Sequence, residues 1–256
     1  MKGKRSSARR SDDSVKSLAK MVSILDAFST SRRSMSLAEI AAATGLPRST
    51  AHRLAASLRD AGLLDQEGHR DRYRLGIKLF EYGNTALANL DLHREARPFV
   101  DALSRISGHL VNLAVFDGRE AIVVHRVLAE GGTPLTLIEA APIHCTSTGK
   151  AILAFQPVAK IDAVIADGLR RFTDTTITDG RRLKAELRLI RSRGYAVDEG
   201  EHQPGIRCIG APIRDRAGRV IAGLSVSGPA RQLKKDQVGE LAKIVVHHSE
   251  LVTAKL

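Results

Sequence analysis

The chain has 256 residues, enough for two domains each with its own core, and 43% hydrophobic with 27% charged residues is ordinary for a water-soluble protein. The net charge of +12 points towards a polyanionic partner. Residues 1–75 hold 15 Lys and Arg against 8 Asp and Glu, while residues 76–256 hold 25 against 20, so the shorter part is the more basic per residue. The two cysteines, Cys145 and Cys208, come without a CxxC or a Cys/His pair at zinc-finger spacing, and no charge-free apolar run approaches the roughly 18 residues of a membrane helix. A cytoplasmic protein without disulfide framework, metal, cofactor or membrane partner is expected.

Residues 1–14 open with five basic side chains in the first ten and show no hydrophobic pattern, which predicts a disordered basic tail. A first helix is expected over Val15 to Phe28, with Leu18, Met21, Val22, Leu25 and Phe28 as its apolar stripe. Ser36 and Glu39 have the spacing of a capping box. Leu37, Ile40 and Ala41 follow at helical intervals until Gly45 ends the helix. Pro47 suits the first turn of the next helix, whose buried stripe is Ala51, Leu54, Ala55 and Leu58. Its other face carries Arg48, Ser49, Thr50, His52 and Arg53 near the N-terminus, the end that a helix-turn-helix sets against base edges in the major groove of double-stranded DNA. After Leu64 a turn centred on Gly68 leads into Arg70, Arg72 and Arg74, with Tyr73 and Leu75 on alternate positions. This is the pattern of a two-stranded wing whose Arg70 and Arg72 would grip phosphates. Residues 15–75 thus read as a winged helix-turn-helix.

Residues 76–91, with Ile77, Phe80, Leu87 and Leu90 on one side, read as a linker helix where two chains could pack and so place two reading heads on repeated half-sites. Beyond it, residues 92–256 change character. A helix over Leu92 to Ser107 precedes a hairpin, HLVNLAVF and REAIVVHRVL about Asp117 and Gly118, and TPLTLIE reads as a third strand. Helices are expected over Ser147 to Phe155, Ala159 to Ala166 and Asp179 to Arg193, then strands over Gly194 to Asp198, Cys208 to Arg214 and Arg219 to Ser227, and a closing helix. The fold class is α+β, with a mostly antiparallel sheet covered by helices.

Three ordered motifs, HCTSTGKAILA, GYAVDEGEHQPGIRCIGAPI and GRVIAGLSVSGP, follow the N-terminal module. With it they resemble the IclR family of bacterial transcriptional regulators from about Val15 to the C-terminus. The resemblance implies a linker helix between the winged helix-turn-helix and a GAF-like domain that binds a small organic effector and alters DNA binding, in a homodimer or homotetramer. It also implies that Ser147, Thr148, Asp198, Cys208, Ser225 and Ser227 line the effector pocket, next to Gly149. Thr146 to Gly149 precede or open a helix, where hydroxyls and backbone N–H groups suit a carboxylate. Asp198 would then meet a ligand hydroxyl or amine, or an amide N–H, since two unpaired anions repel. Ser147 and Thr148 stand where small or apolar residues are more usual in the family, and Gly200 where an acidic pair is common. A more polar pocket follows, suited to a small organic acid.

Other classes fare worse on the residues. GLSVSG lacks the last glycine of a nucleophile elbow, because Ser227 stands there, and His144 stands where a Walker loop ending at Lys150 needs glycine. His144 and Cys145 with His125 or His202 match no ligand spacing for a metal. A DNA-binding protein without a ligand is the nearer alternative, distinguished by a C-terminal domain that binds no small molecule.

Overall fold

The computed structural model describes residues 16–29, 32–67, 71–88, 90–128 and 139–256. The chain divides into two compact units, residues 1–89 and 90–256. The expected N-terminal tail lies outside the described residues.

In the first unit, helix α1 (residues 16–26) buries Ile24, with Ala27 and Phe28 just beyond it, and Met21 and Leu25 pack against this core. The stripe therefore runs Met21, Ile24, Phe28. Leu18 and Val22, expected inside, are 62% and 46% exposed, because the 3.6-residue period admits only one of the two neighbouring rows to the core. Strand β1 (Met35–Ser36) leads into α2 (Leu37–Thr44). The capping box is complete: Glu39 N–H donates to Ser36 Oγ (3.3 Å) and Ser36 N–H to the Glu39 carboxylate (2.6 Å). Gly45, at φ +66°, closes the helix in the left-handed region. Helix α3 (Arg48–Asp60) starts one residue later than expected, with Pro47 as its cap rather than in its first turn. Ala51, Leu54, Ala55 and Leu58 are its buried face.

Strands β2 (Leu64–Glu67) and β3 (Arg72–Leu75) pair antiparallel, and β1 adds to the other edge of β3. Tyr73, flanked by Met35 and Gln66, is buried. Leu75 lies beyond the reach of β1 and stays 45% exposed, so only one of the two alternate apolar positions is covered. The wing turn, with Gly68 and Arg70, lies outside the described residues. Helix α4 (Ile77–Ala88) buries none of its residues; Ile77, Phe80 and Tyr82 are exposed.

The second unit begins with α5 (Asp91–Ser107) and the hairpin β4 (Leu110–Phe116) and β5 (Ala121–Val127). The third strand, β6, is described over Glu139–Ala141, meeting the expected segment only at Glu139; the rest of that segment lies outside the described residues. Then come α6 (Ser147–Leu153), α7 (Val158–Ala166), α8 (Gly180–Arg193), β7 (Ala196–Glu199), β8 (Ile206–Arg214), β9 (Val220–Pro229), a 3-10 turn (Lys235–Gln237) and α9 (Val238–Thr253). Strand β7 starts two residues later than expected because Gly194, at φ +83°, is still the cap of α8. The strands form one sheet in the order β6-β5-β4-β9-β8-β7, antiparallel at every described pairing.

Successive strand residues point to opposite faces. His125 faces Asp101 of α5, and α5 packs on α9. On the other face α6 lies directly on the sheet over two glycines. A Cβ on Gly210 would fall 2.7 Å from the backbone of Ser147, and one on Gly223 would fall 2.9 Å from Thr148 Cγ2. Ala151 to Ala154, Leu183, Leu187 and Ile190 then join Val123 and Val220 in a core between sheet, α6 and α8. Gly210→Ala should lift the first turn of α6 and cost on the order of 1–3 kcal/mol as an overpacking substitution; urea unfolding of the full chain checks this, and an unchanged midpoint contradicts the close approach.

Candidate functional site

The face of the sheet that α6 covers holds a cavity of about 550 Å³. Its floor follows from strand register. Asp198, Cys208, Ser227 and Leu110 stand side by side on four adjacent strands, and Gly210, Ser225, Asn112 and Arg126 form the next row. Residues two apart share a face, so both rows open upward, and every one of these residues except Gly210, which lies under the Ser147 backbone, borders the cavity. The roof is the start of α6, with Thr146, Ser147 and Thr148; His109, His202 and Gln203 stand at the rim. Thr148 donates its hydroxyl hydrogen to Ser225 Oγ (2.8 Å), tying roof to floor. Arg126 Nε donates to Asn112 Oδ1 (2.7 Å), and Asn112 Nδ2 donates to Ser227 Oγ (3.4 Å). Six of the expected effector residues, Ser147, Thr148, Asp198, Cys208, Ser225 and Ser227, are therefore brought to one cavity.

Gly149 is not in that lining. Its N–H donates to the capping Thr146 Oγ1 (3.1 Å), and a Cβ there would lie 2.6 Å from the Ile143 backbone, so this glycine lets the helix pack rather than presenting a group to a ligand. Burial pushes Asp198 up to about 6, although it accepts the Glu201 N–H (2.6 Å) and Lys150 lies near. Burial, reinforced by Asp198, pushes the Cys208 thiol up to about 12, so it stays a neutral thiol at physiological pH and a weak nucleophile. The described residues hold no cluster of three or more side chains suited to a metal ion; His144 Nε2–H instead donates to the Arg170 carbonyl (3.0 Å).

Sequence reasoning missed Asn112 and Arg126, whose signal was a polar residue inside each of two apolar strands. It also missed a buried ion pair. Lys150, with 1% of its surface exposed, reaches the carboxylate of Glu201, 51 residues away in sequence, and the carbonyl of Val197 (2.7 Å). Burial pushes Glu201 up to about 7 against the pull of Lys150. Its Oε2 is buried without a hydrogen-bond partner among the described residues, and Glu201 is one of the residues lining a second cavity of about 500 Å³.

In the first unit, α3 presents Arg48, Ser49, His52 and Arg53 to solvent, with Thr50 half-buried among them. Arg72 makes contacts within the first unit. Its Nε donates to Ser34 Oγ (2.8 Å), one terminal nitrogen donates to the Ser34 carbonyl (2.6 Å), and the guanidinium lies 3.1 Å from Glu39. It ties β3 to the capping box of α2, since β1 brings Ser36 directly opposite Arg72.

The family model "Bacterial transcriptional regulator IclR C-terminal" matches residues 84–254, and "IclR helix-turn-helix domain" matches residues 17–68. The chain belongs to the IclR family and is a transcriptional regulator of that type, with a DNA-binding helix-turn-helix. It is 34% identical over 240 residues to the HTH-type transcriptional repressor AllR of Salmonella paratyphi A, covering 88% of this chain and 85% of that one. Among solved structures it is similar to the IclR of Thermotoga maritima (32% identity, 94% of this chain and 99% of that one, TM-score 0.67). It is also similar to an IclR homologue from Microbacterium hydrocarbonoxydans complexed with 4-hydroxybenzoate (26% identity, 94% and 98%, TM-score 0.75). Among the described residues no helix is long and apolar enough to cross a membrane.

The carboxyl of Asp198 makes a pH prediction. With its folded value raised to about 6, the folded chain holds a proton that the unfolded chain has already released above about pH 4, so stability falls as pH rises through that window, by up to about 3 kcal/mol. Glu201 acts in the same direction. Denaturant titrations between pH 4 and 7 should show this slope in the wild type and a shallower one in Asp198→Asn; equal slopes would contradict it.

Proposed function

We propose that this regulator senses a small organic acid in the cavity of its second unit and that the occupied and empty forms differ in operator affinity. The observation that carries this reading is the cavity itself: about 550 Å³ between α6 and the sheet, with hydroxyl, amide, guanidinium and carboxyl groups converging on it. That combination, a few placed polar groups in an otherwise apolar pocket, is what fixes the orientation of a small ligand. The 4-hydroxybenzoate complex of the Microbacterium homologue supports an aromatic acid as one candidate class. Asp198 suits such a ligand best while it holds its proton, since it then donates a hydrogen bond to the carboxylate instead of repelling it. Acid affinity should therefore fall as pH rises through about 6.

On the DNA side, Arg48, Ser49, Thr50, His52 and Arg53 of α3 are the proposed base-reading face, and Arg70, outside the described residues, remains a proposed phosphate contact. Arg72 is proposed to brace the wing, given its contacts with Ser34 and Glu39. Exposed Leu18 and Val22 on α1 and Ile77 and Phe80 on α4 support self-association through the first unit, as a homodimer or as part of a homotetramer. A ligand in one unit can alter DNA binding only through different affinity for two arrangements of the heads.

Two measurements test this. Melting of the full chain with a panel of aliphatic and aromatic acids should show one that, at a hundred times its dissociation constant, adds about 2.7 kcal/mol. The same acid, titrated against the protein bound to a duplex selected from random sequence, should change the affinity; no change across the titration would refute the coupling. On that duplex Arg53→Ala should cost about 1–3 kcal/mol and relax preference at one position, whereas Arg72→Ala should lower the melting temperature of the free protein. Interchangeable effects would contradict the division of roles.

A further inference from the structure

We infer that Lys150 and Glu201 are positioning residues of the cavity: a buried ion pair outside its lining that sets where Asp198 and the first turn of α6 stand. The inference rests on the reading that an acid binds in that cavity. Lys150 follows Thr148, a lining residue, by two positions, and its side chain runs away from the cavity to the Val197 carbonyl (2.7 Å) and the Glu201 carboxylate. The Glu201 N–H in turn donates to Asp198 Oδ1 (2.6 Å). One ammonium therefore holds the residue before Asp198 by its carbonyl and the residue three beyond it by its side chain. From outside, the hydroxyls of Thr173 and Thr175 donate to the Gly200 carbonyl (2.7 and 2.9 Å) and that of Thr176 to the Glu201 carbonyl (2.6 Å). The loop is thus held on one side by a threonine cluster and on the other by α6.

Stability is a poor reason for this pair. Removing two charges from water costs as much as their attraction returns, and apolar side chains of similar volume commonly stabilise at least as well. Glu201 Oε2 is left without a partner among the described residues, which adds to that cost. What leucine or methionine would not supply is direction. Only a donor at the end of the Lys150 side chain bonds both the Val197 carbonyl and the Glu201 carboxylate, and so fixes α6 relative to β7 across the cavity wall.

The test uses the full-length protein and the variants Lys150→Met, Glu201→Gln and Lys150→Met with Glu201→Leu. The double variant should melt at or above the wild type. Hydrogen exchange of the amides of residues 198–202 should quicken at least tenfold while that of β9 is unchanged. Calorimetric affinity for whichever acid of the panel stabilises the wild type most should fall at least tenfold. Glu201→Gln keeps an acceptor for Lys150 and should stay within about threefold of the wild type. Lys150→Met alone serves if the double variant does not fold. Wild-type exchange in residues 198–202, or wild-type affinity despite fast exchange, overturns the inference. So does affinity that merely tracks melting temperature across the set, which marks a structural pair. If no acid binds the wild type, the effector reading fails, and the exchange measurement still decides whether the pair holds the loop.

Discussion

The second unit depends on a close approach: the first turn of α6 rests by its backbone on Gly210 of β8 and by little more than the Thr148 side chain on Gly223 of β9. Gly210 and Gly223 make it possible, since a Cβ at either would sit inside contact distance of Ser147 or Thr148. Gly149 does the same from the helix side, against Ile143. Because the helix lies so low, its hydroxyls reach the floor, and Thr148 bonds Ser225 directly. A thicker contact would separate roof from floor and leave buried polar groups on both sides without partners, at a cost of about 1–3 kcal/mol each.

Low packing of this kind concentrates polar groups where little water can screen them. Asp198 and Glu201 lie within three residues of one another, both buried, and Lys150 is the cation between them. Desolvation dominates the behaviour of both carboxyls, so protonation is within reach of neutral pH. The two cysteines respond to the same environment by becoming poorer acids, Cys145 and Cys208 both being pushed up to about 12. Both stay neutral thiols at physiological pH and weak nucleophiles.

The first unit is built on a smaller economy of contacts. Its capping box does more than start α2, because the carboxylate that closes the box also meets Arg72 of β3. Helix and sheet are joined through one network around Ser34, Ser36 and Glu39, leaving the polar face of α3 unencumbered. The exposed ion pair with Glu39 contributes little to stability by itself, and the part-buried bonds of Arg72 to Ser34 carry the brace.

Local rules were enough for the parts of this protein whose determinants lie within a few residues of one another. The Ser36–Glu39 spacing, the Ala51 to Leu58 stripe and the two apolar runs either side of the Asp117 and Gly118 turn each name an element without reference to the rest of the chain. The motif resemblance placed Thr148, Asp198, Cys208, Ser225 and Ser227 together, although composition and spacing alone would not have joined strands so far apart. Choices between equivalent faces, and partners far apart in sequence, were decided only by tertiary structure. Periodicity does not say whether the Leu18 and Val22 row or the Met21 and Ile24 row meets the core, because both repeat at helical spacing. A basic residue on a strand reads as outward-facing until another segment brings an acceptor beside it, as Ser34, just before β1, does for Arg72. Lys150 looks like a surface lysine in any local window; it is buried because Glu201 and the Val197 carbonyl, supplied from about fifty residues away, satisfy its charge.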